Sequence, residues 1–174
     1  MNIVINLFGP SAAGKSTTAH LLQHCTDNMQ TVDFDMIKRQ IPNYDWLLHA
    51  QAGRDMTLNR LDTLLQSKEN LILLLMPSPR DKQEYAQTQS IIEAHEYTLI
   101  NVEITAPREV LIERYEHRLA NIDPEKKNWK FKTLEEFTAK LKEPYYRPPD
   151  THVFDSSKND PSEIANNIEA FLSS

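Results

Sequence analysis

The chain has 174 residues, 40% hydrophobic and 25% charged, with a formal net charge of -6, which suits one soluble domain with its own core. The acidic balance argues against a nucleic-acid partner, because affinity for a polyanion rests largely on Lys and Arg contacts to phosphate. The single cysteine, Cys25, excludes an internal disulfide and fits a reducing cytoplasm; the longest apolar run, Leu71 to Met76, is far too short for a bilayer, so no membrane partner is expected.

Met1 leads directly into NIVINLF (2–8) without a charged leader or cleavage site, so no signal peptide is expected. That β-branched and aliphatic run ends at a glycine and reads as a buried strand. From Lys15 to Cys25 the apolar residues Ala19, Leu22 and Cys25 recur at helical spacing. MQTVDF (29–34) is a second strand. Residues 43–67 read as helical, with Leu58, Leu61 and Leu65 in one stripe. NLILLLM (70–76) is the most apolar segment and reads as the central strand, broken by PSPR. A helix follows to about Glu96, and YTLINVEI (97–104) is a fourth strand. Pro107 after Thr105 and Ala106 opens the helix PREVLIERYEHRLA. HVFD (152–155) is a fifth, short strand, and PSEIANNIEAFL closes with Ile164, Ile168 and Phe171 on one side.

Strands alternate with helices throughout. This predicts a single α/β domain over residues 1–174, with a five-stranded parallel sheet between two helical layers. Ligands of such sheets sit beyond the carboxyl ends of the strands. The alternation breaks at 121–150, which is polar and lysine-rich and then reads PYYRPP. It is either a solvated loop or a lid over a cleft.

Two of the three glycines fall between the first strand and first helix, in Gly9-Pro10-Ser11-Ala12-Ala13-Gly14-Lys15-Ser16-Thr17. The spacing fits G-x-x-x-x-G-K-[ST], a phosphate loop. Glycines let backbone N–H groups point inward, and the helix N-terminus favours an anion. Lys15 supplies a mobile positive charge for the outer phosphates, and Ser16 offers a hydroxyl to Mg²⁺.

After the second strand, Asp33 and Asp35 bracket Phe34. On an extended segment residues two apart point to the same side. These carboxylates could hold Mg²⁺ and accept a proton from a substrate hydroxyl, or Asp35 could cap a helix starting at Met36. Arg54 lies on the Leu58, Leu61, Leu65 stripe and either points over the cleft or lies on the surface. Arg80 follows the third strand at once. Arg114 and Arg118 are one helical turn apart, either phosphate clamps or a solvated face paired with Glu113 and Glu116. No acid ends the LILLLM strand, so Asp33 or Asp35 would have to take the metal. The absence of an Asn/Thr-Lys-x-Asp guanine-reading run argues against a regulatory GTPase.

The phosphate loop, the Asp-x-Asp after the second strand and REVLIERYEHR before a lysine-rich segment resemble the P-loop kinases of small molecules and nucleotides. VDFDMIKRQIPNYD, Arg80 and IERYE resemble the zeta-toxin and chloramphenicol-phosphotransferase group within them. The resemblance covers essentially the whole chain and implies a P-loop NTPase fold that binds ATP. It implies that Asp35 acts as base towards an acceptor hydroxyl, that Arg80 sits at the phosphates or acceptor, and that Arg114 or Arg118 is the lid arginine. It also implies that DSSKNDP (155–161) lies along the adenine. The glutamate-glycine-threonine run of zeta toxins is replaced here by MPSPR, which implies an altered acceptor pocket. The expected activity is Mg²⁺-dependent transfer of the γ-phosphate of ATP to a hydroxyl or phosphate of a small molecule, with Asp33, Asp35, Arg54 and Arg80 at the acceptor. A nucleoside or nucleotide kinase, with Phe34, Tyr44 or Trp46 stacked on a base, and a slowly hydrolysing nucleotide switch are the rivals.

Overall fold

The structure, a computed structural model, describes residues 2–25, 29–68, 71–75, 79, 82–121 and 133–172. Its strands are β1 (Ile3–Phe8), β2 (Met29–Asp33), β3 (Leu71–Leu75), β4 (Thr98–Thr105) and β5 (His152–Asp155). They form one sheet in the order β2-β3-β1-β4-β5, and every pairing in it is parallel. The helices are α1 (Lys15–Cys25), α2 (Phe34–Lys38), α3 (Trp46–Gln66), α4 (Lys82–Ala94), α5 (Arg108–Asn121), α6 (Leu134–Lys140) and α7 (Pro161–Leu172).

β1 sits at the centre of the sheet and all six of its residues are buried. This is why the run 3–8 is mostly apolar rather than alternating: both faces are covered. Ile3, Ile5 and Leu7 point to one face, where they pack with Ala19 and Leu22 of α1, Leu111 and Tyr115 of α5, Phe137 of α6, and Ile164 and Ile168 of α7. Val4 points to the other, with Val32, Ile37 of α2, Leu61 and Leu65 of α3, and Ile92 of α4. Helices therefore cover both faces of a parallel sheet, as the alternation predicted. No helix among the described residues is long and apolar enough to cross a membrane.

Three expectations change. In α3 the buried stripe runs through Arg54, Thr57, Leu61 and Leu65, not Leu58. The polar Thr57 fits there because its hydroxyl donates to the Gly53 carbonyl at 2.8 Å, which satisfies its polar group inside the helix. The second strand ends at Asp33, and Phe34 already begins α2. The third concerns 121–150. Asn121 completes α5, and 122–132 lie outside the described residues, whereas 134–140 form a helix that belongs to the core. Thr133 caps that helix by accepting from the Glu136 N–H. Phe137 is fully buried and stacks on Tyr115, ring centroids 4.0 Å apart and planes within 10°. This half of the segment is fixed structure, because an aromatic pair of this size outweighs its polar flanks.

A buried phenylalanine cut to alanine loses about 3–5 kcal/mol. Phe137→Ala is therefore expected to lower unfolding free energy by about that amount, as read by denaturant melts. A change below about 1 kcal/mol would show that α6 is not packed.

Candidate functional site

The phosphate loop leaves β1 at Phe8 and enters α1 at Lys15. Gly9 has φ 132° and Gly14 φ 100°, with Ala12 at 67° between them. The two glycines serve different needs. A Cβ on Gly9 would stand 2.1 Å from the Ile104 carbonyl oxygen of β4, so Gly9 is required by the sheet itself. A Cβ on Gly14 would meet nothing within 4 Å. Space beside Gly14 is therefore open, and the positive φ there is one that glycine adopts without strain. Gly9 thus has a second reason to be glycine, the approach of the next strand, besides the expected approach of phosphate.

Lys15 curls back over the loop and donates from Nζ to the carbonyls of Gly9 and Pro10, each at 2.8 Å. It is half-buried rather than fully solvated, and its ammonium lies over the loop where outer phosphates would sit. Ser16 and Thr17 are exposed in the first turn of α1. Pro10, Ser11 and Ala12 are partly covered and Ala13 is buried. These residues fit a polyphosphate: open space beside Gly14, a helix N-terminus and one mobile cation.

At the end of β2 the chain does not stay extended through Asp35. Asp33 is the N-cap of α2, and its carboxylate accepts from the Asp35 N–H at 2.8 Å. Asp35 lies in the first helical turn and is ion-paired with Lys38 one turn on. The shared-side arrangement of the two carboxylates and the capping role for Asp35 are both corrected: Asp33 caps, because the helix starts at Phe34, two residues earlier than Met36. Burial pushes the Asp33 carboxyl above the usual carboxylate range, against the backbone hydrogen bond that lowers it. Lys38 is buried, with its ammonium 5.2 Å from the Phe34 ring centroid and 5.8 Å from that of Tyr44. It is a desolvated cation held by one carboxylate and two aromatic faces. For Mg²⁺, Ser16 and the Asp33 carboxylate are the hard oxygen donors at this edge. Mg²⁺ bound with substrate phosphates commonly needs only one or two carboxylates.

Of the two readings of Arg54 the surface one is overturned: it is buried, and its guanidinium donates to the Glu84 carbonyl at 2.8 Å and pairs with the Glu84 carboxylate. It ties α3 to α4, which corrects its placement as an open acceptor ligand. Arg80 and Trp46's side chain lie outside the described residues. Arg114 and Arg118 stand one turn apart in α5 but in different surroundings. Arg114 donates to the hydroxyl and carbonyl of Ser156 at 2.8 and 2.7 Å, fixing the loop after β5, while Arg118 is exposed. In that loop Asp155 accepts from the N–H and hydroxyl of Ser157, and these bonds hold its carboxyl below the usual range.

Sequence reasoning missed a second polar group, on the face of the sheet that α2, α3 and α4 cover. Asn6 of β1 donates to Asn101 of β4 at 3.0 Å, and Asn101 donates to the Tyr85 hydroxyl at 2.9 Å. Two residues on, Glu103 is fully buried and accepts from the Tyr145 hydroxyl and from Arg147 Nε. Burial, then the bond to Glu103, raises the Tyr145 phenol to about 12. Tyr146 donates its N–H to the Pro79 carbonyl at 2.9 Å, and its ring lies 5.7 Å from that of Tyr85. Residues 141–150 are thus a strap across the carboxyl edge, tied to β4, to α4 and to the loop after β3. A charged residue near the end of an otherwise apolar parallel strand was the signal that could have found Glu103.

No curated protein is significantly similar in sequence. Solved structures are similar in fold. A provisionally named kinase of Chloroflexus aurantiacus j-10-fl superposes with a TM-score of 0.74 at 17% identity over 97% of each chain. The APS kinase CysC of Mycobacterium tuberculosis, solved with AMPPNP and APS, gives 0.65 at 18% identity over 99% of this chain and 98% of that one. A gluconokinase from Sinorhizobium meliloti 1021 gives 0.61 at 19% identity over 98% and 91%. At these identities the likeness is one of fold: a kinase-like α/β P-loop fold with a parallel sheet. The AAA domain profile AAA_33 matches residues 4–144, which contain the phosphate loop, both aspartates and α6; the chain belongs to this family.

Proposed function

We propose that this protein is an Mg²⁺-dependent phosphotransferase that moves the γ-phosphate of ATP to a hydroxyl or phosphate oxygen of a small molecule. The observation that carries the reading is the loop 9–17: open space beside Gly14, with the Lys15 ammonium laid back on two loop carbonyls. An anion arriving there replaces those carbonyls as the partner of Nζ. Bound Mg²⁺, with Ser16 and Asp33 as its protein donors, would neutralise charge on the phosphates. The acceptor oxygen forms its bond to Pγ as the bond from Pγ to the β–γ bridging oxygen breaks, and ADP leaves. Asp35 takes the acceptor proton. Lys38, paired to it, fixes its orientation. Lys15, Arg80 and Arg118 supply positive charge around the transferring group, and Arg114 holds the loop 155–161 for the adenine through Ser156.

The nucleoside-kinase alternative has less support. Phe34 is buried, and it and Tyr44 each give the Lys38 ammonium a ring to lie against. A nucleotide switch would be set apart by its stimulant. ATP turnover by a kinase rises with a small hydroxylated compound, and that of a switch rises with a protein.

Lys15→Ala is expected to leave melting nearly unchanged and to raise the barrier to ATP turnover by about 3 kcal/mol or more. Turnover near wild type in a normally folded variant would remove the phosphate-loop mechanism.

Asp35→Asn removes a base but also strands the buried Lys38 charge, so a loss of activity alone would be ambiguous. The double variant Asp35→Asn/Lys38→Met removes both charges together. It is expected to recover stability relative to Asp35→Asn while transfer stays about two to four orders of magnitude below wild type, with Mg-ATP affinity within about tenfold, or about 1.4 kcal/mol. Recovery of transfer along with stability would make Asp35 a structural partner of Lys38 and leave the reaction without this base.

A further inference from the structure

The strap 141–150 places one arginine in an unusual setting. Glu103 has no exposed surface, while the Arg147 side chain paired to it is 56% exposed. The pair is therefore a dipole with its negative end in the sheet and its positive end turned outward. Glu103 engages Nε, at 2.5 Å. The guanidinium also meets the Tyr145 side chain, which is itself bonded to Glu103, and more than half of the arginine side chain stays exposed. Glu103 at Nε and the neighbouring Tyr145 fix the guanidinium plane, and its exposed part keeps donors turned outward, which suit the oxygens of a phosphate or carboxylate. The hydrogen bond to Glu103 also raises the Arg147 pKa further, so the guanidinium stays charged.

Its position follows from the register. Glu103 is aligned with Phe8, the residue before the phosphate loop. Tyr146, next to Arg147, is bonded to Pro79 beyond the end of β3. Arg147 thus stands at the carboxyl edge beside the loop, on the side of the sheet that carries α2 with Asp35 and Lys38. Asp35 and Arg147 flank the phosphate loop from β2 and β4 respectively.

We infer that Arg147, positioned by Glu103, binds an anionic oxygen group of the acceptor, a phosphate, sulfate or carboxylate carried beside the hydroxyl that is phosphorylated. The inference rests on the phosphotransferase reading above and narrows its substrate class to anionic acceptors. An uncharged acceptor would make no charge-assisted bond with the guanidinium, which favours acceptors that carry an anionic group.

The test uses ¹⁵N-labelled full-length protein saturated with Mg-AMPPNP, so that the phosphate loop is occupied. Inorganic phosphate is titrated in, with sodium chloride at matched ionic strength as the control. The Arg147 Nε–H signal is identified by its loss in Arg147→Lys. The expected result is a saturable shift of that signal with phosphate and not with chloride. Phosphate affinity, followed at the Tyr146 amide, is expected to fall at least tenfold in Arg147→Gln. It is also expected to fall in Glu103→Gln, where the arginine remains but its guanidinium is no longer fixed. An Arg147 signal that moves no more with phosphate than with chloride, or equal affinity in Arg147→Gln, would overturn the inference while leaving nucleotide binding intact. If the Gly9 and Gly14 amides do not shift when AMPPNP is added, the phosphotransferase reading falls, and this inference with it.

Discussion

The closest constraint in the molecule is the contact of Gly9 with β4. The loop leaves the central strand so near the Ile104 carbonyl that no side chain fits between them. This contact sets where the loop can sit. β1 is buried on both faces and paired on both edges, to β3 and to β4, so Phe8 has a fixed height above the sheet. Gly9 is pressed on β4, whereas at Gly14 the space beside the backbone is open. The phosphate site is thus a consequence of packing two strands and a loop without side chains in the way. The nucleotide need only displace the Lys15 ammonium from two carbonyls.

The same strand carries the other half of the site. β4 turns Val102 and Ile104 into the apolar layer under α5 and α7, and Asn101 and Glu103 to the opposite face. Burying a carboxylate and two amides costs several kcal/mol unless each is bonded. Here the bonds come from Tyr85 and from the strap, so Tyr145 and Arg147 are fixed because Glu103 is buried. Two sides of a candidate acceptor site are then held by different physics. On the β2 side an ion pair sits between aromatic rings, Asp35 with Lys38. On the β4 side a buried carboxylate holds an exposed guanidinium.

The layers, the strands and the phosphate loop were legible in the sequence because each depends on local pattern. An apolar run ending at glycine and followed by Lys-Ser can satisfy its backbone in few ways. The acceptor side was less legible, because its contacts join residues far apart in the chain. Nothing near Arg54 announces Glu84, and nothing near Glu103 announces Tyr145 and Arg147. Asp33 and Asp35 were visible as a pair, yet which of them caps depends on where α2 begins, a two-residue matter. α6 was missed for another reason. Its Thr133-Leu134-Glu135-Glu136 start fits a capping box, and the Thr133 hydroxyl does accept from Glu136. The lysines before it masked a short amphipathic turn whose single large anchor, Phe137, is what binds it to Tyr115.

The central claim is that residues 9–17 hold the phosphates of a nucleotide whose outer charge Lys15 takes over from the loop carbonyls. A crystal structure of the protein grown with Mg-AMPPNP tests it most directly. The account predicts β- and γ-phosphates inside the loop at Gly14, with Lys15 Nζ moved from the Gly9 and Pro10 carbonyls onto phosphate oxygen. Nucleotide bound elsewhere, or phosphates in the loop with Lys15 still on both carbonyls, would contradict it.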